Sequence, residues 1–300
     1  MDRNSFGDSK PHQAVEAAAS RREVLKNAIA LGGLTAAGTF SPGFAQQTAA
    51  PKSAAPNAFD LRNVGGKNYI TSVKDQGYCN SCTAFAVVAT IEGSSNFQKS
   101  HSTSGDTPGY SEAQLFFCGG PPGGCSCHAW YPEQALRFCF SPGVTDRNNN
   151  DGTQSVWQSL CKTPDSSWNW TKITNAVPLQ DDKAIKQWIS GNSPDGPGGP
   201  VIAVMVEYQD LRAFNGGDSP YSPAEDSTTA INWRVGGHVV SIVGYDDTGS
   251  DKVWICKNSW GTQWNPSAGG YFRVKQEKGL NPTVRKTYID RFDVWGVIVA

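Results

Sequence analysis

Apolar positions along the chain follow two different periods. From 81 to 96 (SCTAFAVVATIEGSSN), Ala84, Phe85, Val87, Val88 and Ile91 cover most of the circumference of a helix that opens at a Ser. A helix apolar nearly all round belongs at the centre of a fold. Shorter helices are predicted over 111–117, 132–140 and 183–190, the last entered through Asp181 and Asp182, whose carboxylates suit a helix start. Beyond the loop 191–200 the period changes. Residues 201–208 are a β-branched run, 238–245 alternate, and 253–258 and 271–275 have the length and composition of short strands. Helices first and strands later predict an α+β protein with segregated halves.

The segment 246–251 (DDTGSD) is a turn signal between two strand-like runs, which should therefore pair as a hairpin. A hairpin centred on residue 248 sets His238 opposite Asn258 at its open end. Cross-strand partners have Cβ atoms about 5 Å apart, within hydrogen-bonding reach of an imidazole and a carboxamide.

Composition narrows the partners. The chain has 300 residues, 38% apolar and 18% charged, with 26 Lys plus Arg against 27 Asp plus Glu. That balance leaves no bulk field for a polyanion, so no nucleic-acid partner is expected. Eight Cys are too many to dismiss as packing and too scattered for a small disulfide scaffold.

The N-terminus speaks to compartment. Ser20-Arg21-Arg22-Glu23-Val24-Leu25-Lys26, followed by a weakly apolar, Gly- and Ala-rich run to Ala45, resembles a bacterial twin-arginine export signal, and Gly43-Phe44-Ala45 offers small residues for cleavage. The expectation is a signal peptide over 1–45, a linker over 46–56 and a folded part over 57–300, periplasmic or secreted, with the export machinery as a partner and no stable membrane anchor.

Gln76-Gly77-Tyr78-Cys79-Asn80-Ser81-Cys82-Thr83-Ala84-Phe85 places Cys82 in the first turn of the central helix, where the helix dipole stabilises a thiolate. A nucleophilic Cys, a distant His and an orienting Asn suit acyl transfer. Together with Asn57-Ala58-Phe59-Asp60-Leu61-Arg62, Val73-Lys74-Asp75-Gln76-Gly77, Tyr131-Pro132, Gly237-His238 to Tyr245 and Lys257-Asn258-Ser259-Trp260-Gly261-Thr262-Gln263-Trp264, these residues resemble the papain family of cysteine peptidases. The resemblance implies a two-domain fold, a helical half over about 57–165 and a β-rich, barrel-like half over about 166–300, with the active cleft between them. It implies peptide hydrolysis by Cys82 as nucleophile, His238 as acid and base, Asn258 as its orienter, Trp260 as cover, and Gln76 with the Cys82 backbone N–H as oxyanion donors. It also implies no cofactor or metal, a peptide or protein substrate, a monomer, and disulfides joining Cys79 to Cys127 and Cys118 to Cys161. Cys125 and Cys139 pair by subtraction, leaving Cys82 and Cys256 free.

The sequence departs from the family at the cleft. Thr83 stands where a large aromatic usually follows the nucleophile, and Ala129 and Trp130 occupy the place of a Gly pair, so substrate is expected to be narrowed or rerouted there, with Gly237 and Trp264 as further cleft residues. His238 and Asn258 follow Cys82 by 156 and 176 residues, beyond the about 130–150 usual for the family, which implies inserted loops. Only eleven residues separate the expected signal from the expected fold, so no long inhibitory prodomain is expected. A transpeptidase or amidase with the same triad and a non-catalytic binding module are the alternatives in function. Cys79 and Cys82 form a Cys-x-x-Cys motif without the strand a thioredoxin-like protein needs before it. Zinc on Cys118, Cys125, Cys127 and His128 suits an exported chain less well than disulfides, and the segment 146–152 lacks the Gly and Glu spacing of a calcium loop.

Overall fold

The computed structural model describes residues 53–103, 105–120, 127–147, 168–224, 234–276 and 287–300. The expected signal, most of the linker, Cys125, Cys161 and most of the 146–152 segment lie outside them.

Five helices among the described residues are α1 (Cys82–Gln98), α2 (Glu112–Gly119), α3 (Pro132–Phe140), α4 (Asp182–Ile189) and the single turn α5 (Gln209–Arg212). Local chemistry explains where they start. The Ser111 hydroxyl accepts the Gln114 N–H at the mouth of α2 and Asp181 accepts the Ala184 N–H at that of α4, while Pro132, which has no N–H to satisfy, opens α3. Ser81 stands at the N-cap of α1 without a side-chain cap bond, so burial, not capping, holds that helix.

The strands are β1 (Ala58–Asp60), β2 (Val144–Thr145), β3 (Trp170–Thr171), β4 (Ile173–Pro178), β5 (Val201–Tyr208), β6 (Pro220–Tyr221), β7 (Arg234–Asp246), β8 (Val253–Lys257), β9 (Tyr271–Lys275) and β10 (Val294–Val299). One eight-stranded sheet runs β4-β10-β5-β7-β8-β9-β6 with β1 added on β7, and β2 pairs with β3 separately. Among the described strands only the β6–β9 pair is parallel.

Residues on β5 divide between two cores, which is why its sequence is a continuous β-branched run instead of an alternation. Val201, Ala203 and Met205 join Ile185, Trp188, Ile242 and Trp254 in one cluster, whereas Ile202 joins Val87, Ile91, Leu115, Leu136 and Val239 in the other. Helix α1 approaches the β-rich part closely because Gly93 has no side chain: a Cβ there would stand 2.7 Å from the Pro200 ring. On β10 a Cβ at Gly296 would fall inside the Trp188 indole.

The hairpin of β7 and β8 forms, but in a different register. Ser241 pairs with Lys257 and Ile242 with Cys256, after which a bulge at Val243 shifts the ladder so that Tyr245 meets Trp254. One more step from Ser241–Lys257 brings Asn258 level with Val240, so His238 and Asn258 are diagonal, not opposite. The turn is centred later than residue 248, and the bulge takes up the extra residue.

Candidate active site

Cys82 is the first residue of α1, where backbone N–H groups have no partner within the helix. Its sulfur faces His238, and the His238 ring and the Val239 backbone N–H both favour its thiolate. His238 lies on β7, buried, with Nε2 2.8 Å from Asn258 Oδ1. Asn258 Oδ1 also accepts the Ser259 backbone N–H at 2.8 Å. A group that accepts from a backbone N–H must be the carboxamide oxygen, so Nε2 of His238 is a donor and carries its hydrogen. That leaves Nδ1 for Cys82. Trp260 lies over the imidazole at 4.6 Å between ring centroids and 30° between planes.

Electrostatics agree with this geometry. Burial opposes the charge on both groups, but the bond and the attraction between them outweigh it: Cys82 is held below the ordinary thiol value and His238 above the ordinary imidazole value. A thiolate and an imidazolium in contact satisfy both directions at once.

Gln76 is placed by Ser259. The Gln76 N–H donates to the Ser259 carbonyl at 2.8 Å and the Ser259 hydroxyl donates to Gln76 Oε1 at 2.6 Å, while Gln76 Nε2 donates to the Cys79 carbonyl at 2.7 Å. An amide nitrogen has two hydrogens, so the second is left for an incoming oxygen. Gly77, at φ 60, makes the turn that returns the chain toward Cys82.

Beneath the site lies a buried set of charges. Lys74 donates to Glu92 at 2.8 Å and Glu112 at 2.6 Å, Glu92 also accepts from Thr71 and the Tyr110 N–H, and Lys257 donates to Thr71 at 2.9 Å. Burial pushes the Lys257 ammonium down to about 8.

The sequence model of papain family cysteine proteases matches residues 55–289. The chain belongs to the papain family. It is 32% identical over 228 residues to a cathepsin L-like proteinase of Fasciola hepatica, covering 75% of this chain and 62% of that one, and 29% identical over 228 residues to fruit bromelain of Ananas comosus, covering 74% and 55%. It thus spans about three fifths of the length of the curated relatives it matches. Among solved structures, the bromelain protease from Ananas comosus in complex with the E64 inhibitor superposes with a TM-score of 0.57 at 22% identity, over 81% of this chain and 99% of that one. The papain-like α+β fold expected from the sequence is therefore the fold found.

The positions where this papain-family chain departs from the family pattern are resolved by packing. Trp130 does not fill the cleft with its indole: it is 5% exposed and packs in the helical core against Phe116 at 6.4 Å. The Thr83 hydroxyl donates to the Trp130 carbonyl at 2.6 Å, which ties this backbone to α1. Ala129 is exposed, and so is Gly237, where a Cβ would meet nothing nearer than the Met205 carbonyl at 4.0 Å. Trp264 is tied away from open solvent by its N–H, which reaches the Leu211 and Arg212 carbonyls at 3.2 Å, and by an edge-on contact with Trp260 at 5.2 Å.

Cys79 and Cys127 form the expected disulfide. Cys118 is also disulfide-bonded, with its partner outside the described residues. The expected bond of Cys139 to Cys125 is corrected, because Cys139 is a free thiol on the inward face of α3, fully buried among Leu136 and Val144. Its burial raises the thiol well above its ordinary value, as it does for the free thiol Cys256. Sequence reasoning assigned no role to Ser259 or Glu207. The signal for Ser259 was its place between Asn258 and Trp260, and for Glu207 a single carboxylate inside an otherwise apolar strand.

Proposed function

We propose that this chain is an exported cysteine peptidase that hydrolyses peptide bonds through a thioester acyl-enzyme. The observation that carries the reading is the relay from Cys82 through His238 to Asn258, with Nε2 fixed as a donor. The Cys82 thiolate attacks the substrate carbonyl carbon, and the oxyanion that forms is held by the Cys82 backbone N–H and the free Gln76 Nε2–H. As the C–N bond breaks, His238 Nδ1 gives its proton to the leaving amine, and the thioester remains on Cys82. Water then attacks the thioester, losing a proton to Nδ1, and the acid product leaves as the thiolate and imidazolium are restored. Asn258 keeps the ring in register throughout.

Export is supported by Arg21-Arg22 with the weakly apolar run behind them, and by the Cys79–Cys127 disulfide, which suits an oxidising compartment. Among the described residues no helix is long and apolar enough to cross a membrane. The test is cleavage of a protein substrate by the purified chain and its Cys82→Ala variant, with a trapped thioester sought by mass spectrometry at low pH. Hydrolysis surviving in Cys82→Ala defeats the proposal. Added amine appearing in the product in place of water marks the transferase alternative.

A further inference from the structure

A carboxylate stands behind the catalytic pair that the mechanism above does not use. Glu207 lies on β5, an apolar strand, and is 6% exposed. In the β5–β7 ladder Met205 is opposite His238 and Glu207 is opposite Gly236. Directly paired residues share a face and so do alternate residues of one strand, which puts Glu207 and His238 on the same face in diagonal positions, about 7–8 Å apart. Gly236 and Gly237 bring no side chain between them.

Among the described residues Glu207 has one close counter-ion. Arg212 on α5 donates from Nε to Glu207 Oε1 at 2.7 Å, and its side chain is 62% exposed. That turn is fixed by the Trp264 indole N–H, and Trp264 touches Trp260, which lies on His238. Glu207 and Arg212 are thus built into the same wall as the imidazole. The other described groups around this wall are Cys82 from α1, the uncharged Asn258 and Trp260, and Tyr221 with its hydroxyl on Asp210 at 2.7 Å. Burial and Asp210 keep Tyr221 protonated.

We propose that Glu207 is a positioning residue that acts through the Cys82–His238 pair, its buried carboxylate, partly neutralised by Arg212, setting where on the pH scale that pair is active. A fixed negative charge favours the imidazolium and disfavours the thiolate, so it moves both edges of the active window in the same direction, to higher pH. The Coulombic influence of Glu207 has this sign on Cys82 and on His238 alike. A residue that merely filled space would move the edges together or apart only by damaging the site.

The inference rests on the peptidase reading, so its test reads the thiol without any substrate. The rate of Cys82 alkylation by iodoacetamide, followed against pH, has two inflections: formation of the ion pair, then loss of the His238 proton. Glu207→Gln should lower both inflections by about 0.5–1 pH unit, and Glu207→Asp should restore them. Arg212→Gln, on the exposed partner, should raise both, and it decides the matter if Glu207→Gln does not fold. Inflections unmoved in a folded Glu207→Gln, or in Arg212→Gln, overturn the proposal. A wild-type chain that shows both inflections but cleaves no peptide would overturn the peptidase reading and leave this inference to stand or fall on the variants.

Discussion

Asn258 Oδ1 lies 2.8 Å from His238 Nε2 while also accepting the backbone N–H of its own neighbour, Ser259. Two donors on one oxygen hold the imidazole from a point that cannot rotate. Asn258→Ala should therefore leave a reactive thiol but a loosely aimed base, lowering kcat/KM tenfold to a hundredfold, about 1.4–2.7 kcal/mol of transition-state stabilisation. His238→Ala should cost far more. Steady-state kinetics on a single peptide would rank them.

Gln76 is expected to act only on the oxyanion. Gln76→Ala should lower kcat by about a hundredfold, near 2.7 kcal/mol, with little change in KM. Ser259→Ala, which frees Gln76 Oε1 but keeps the amide, should cause a smaller loss of the same kind. A rise in KM without loss of kcat would assign Gln76 to ground-state binding instead.

Three described thiols are free, and their surroundings separate them. Cys82 is drawn down by His238, whereas burial alone acts on Cys139 and Cys256 and raises both. Alkylation of the native chain at mildly acidic pH, followed by peptide mapping, should find label on Cys82 alone. Label on Cys139 would show α3 to be open.

For pH dependence the signs are opposite for the two partners. Cys82 is lowered from 9.0 and His238 is raised from 6.5. Activity should rise as Cys82 ionises below its ordinary value and fall as His238 loses its proton above its own, giving a bell. The same pair contributes to stability: the part from Cys82 is lost as pH falls through its folded value, and the part from His238 is lost as pH rises through its folded value. The melting temperature of His238→Ala, compared with wild type across pH, should differ most inside that window.

Gly93→Ala should destabilise the fold by about 1–3 kcal/mol, since the methyl meets a Pro200 ring that cannot fold away. Ala89→Gly, one turn earlier on α1, provides the control for helix propensity. Urea melts would show whether the penalty exceeds the propensity change.

Much of this site can be read from the chain because its parts carry local signals. Cys82 follows a helix start, and the turn after Asp246 foretells the hairpin that carries His238 and Asn258. Register was less legible, because a bulge at Val243 depends on how β7 packs and not on the turn that precedes β8. β4 and β10 went unforeseen: Asn175 and Pro178 interrupt the first, and Gly296 in the second makes sense only once Trp188 is seen against it. Counting alone leaves Cys139 for Cys125, and counting has no knowledge of which way a helix faces. Alignment with small residues suggests Trp130 in the cleft, but its indole is buried beside Phe116, a packing that no local sequence signal foretells.

The buried charges around Lys74 bear on how this molecule moves. Lys74 joins Glu92 on α1 to Glu112 on α2, and Lys257 at the end of β8 reaches Glu92 through Thr71. Removing one member of a buried pair commonly costs about 3–5 kcal/mol, and pulling α1 away from β8 would strand several members at once. Cys82 and Asn258 thus ride on two elements clamped together from below. Any motion that opens the site has to arise outside α1 and β8, while the reacting atoms keep their spacing.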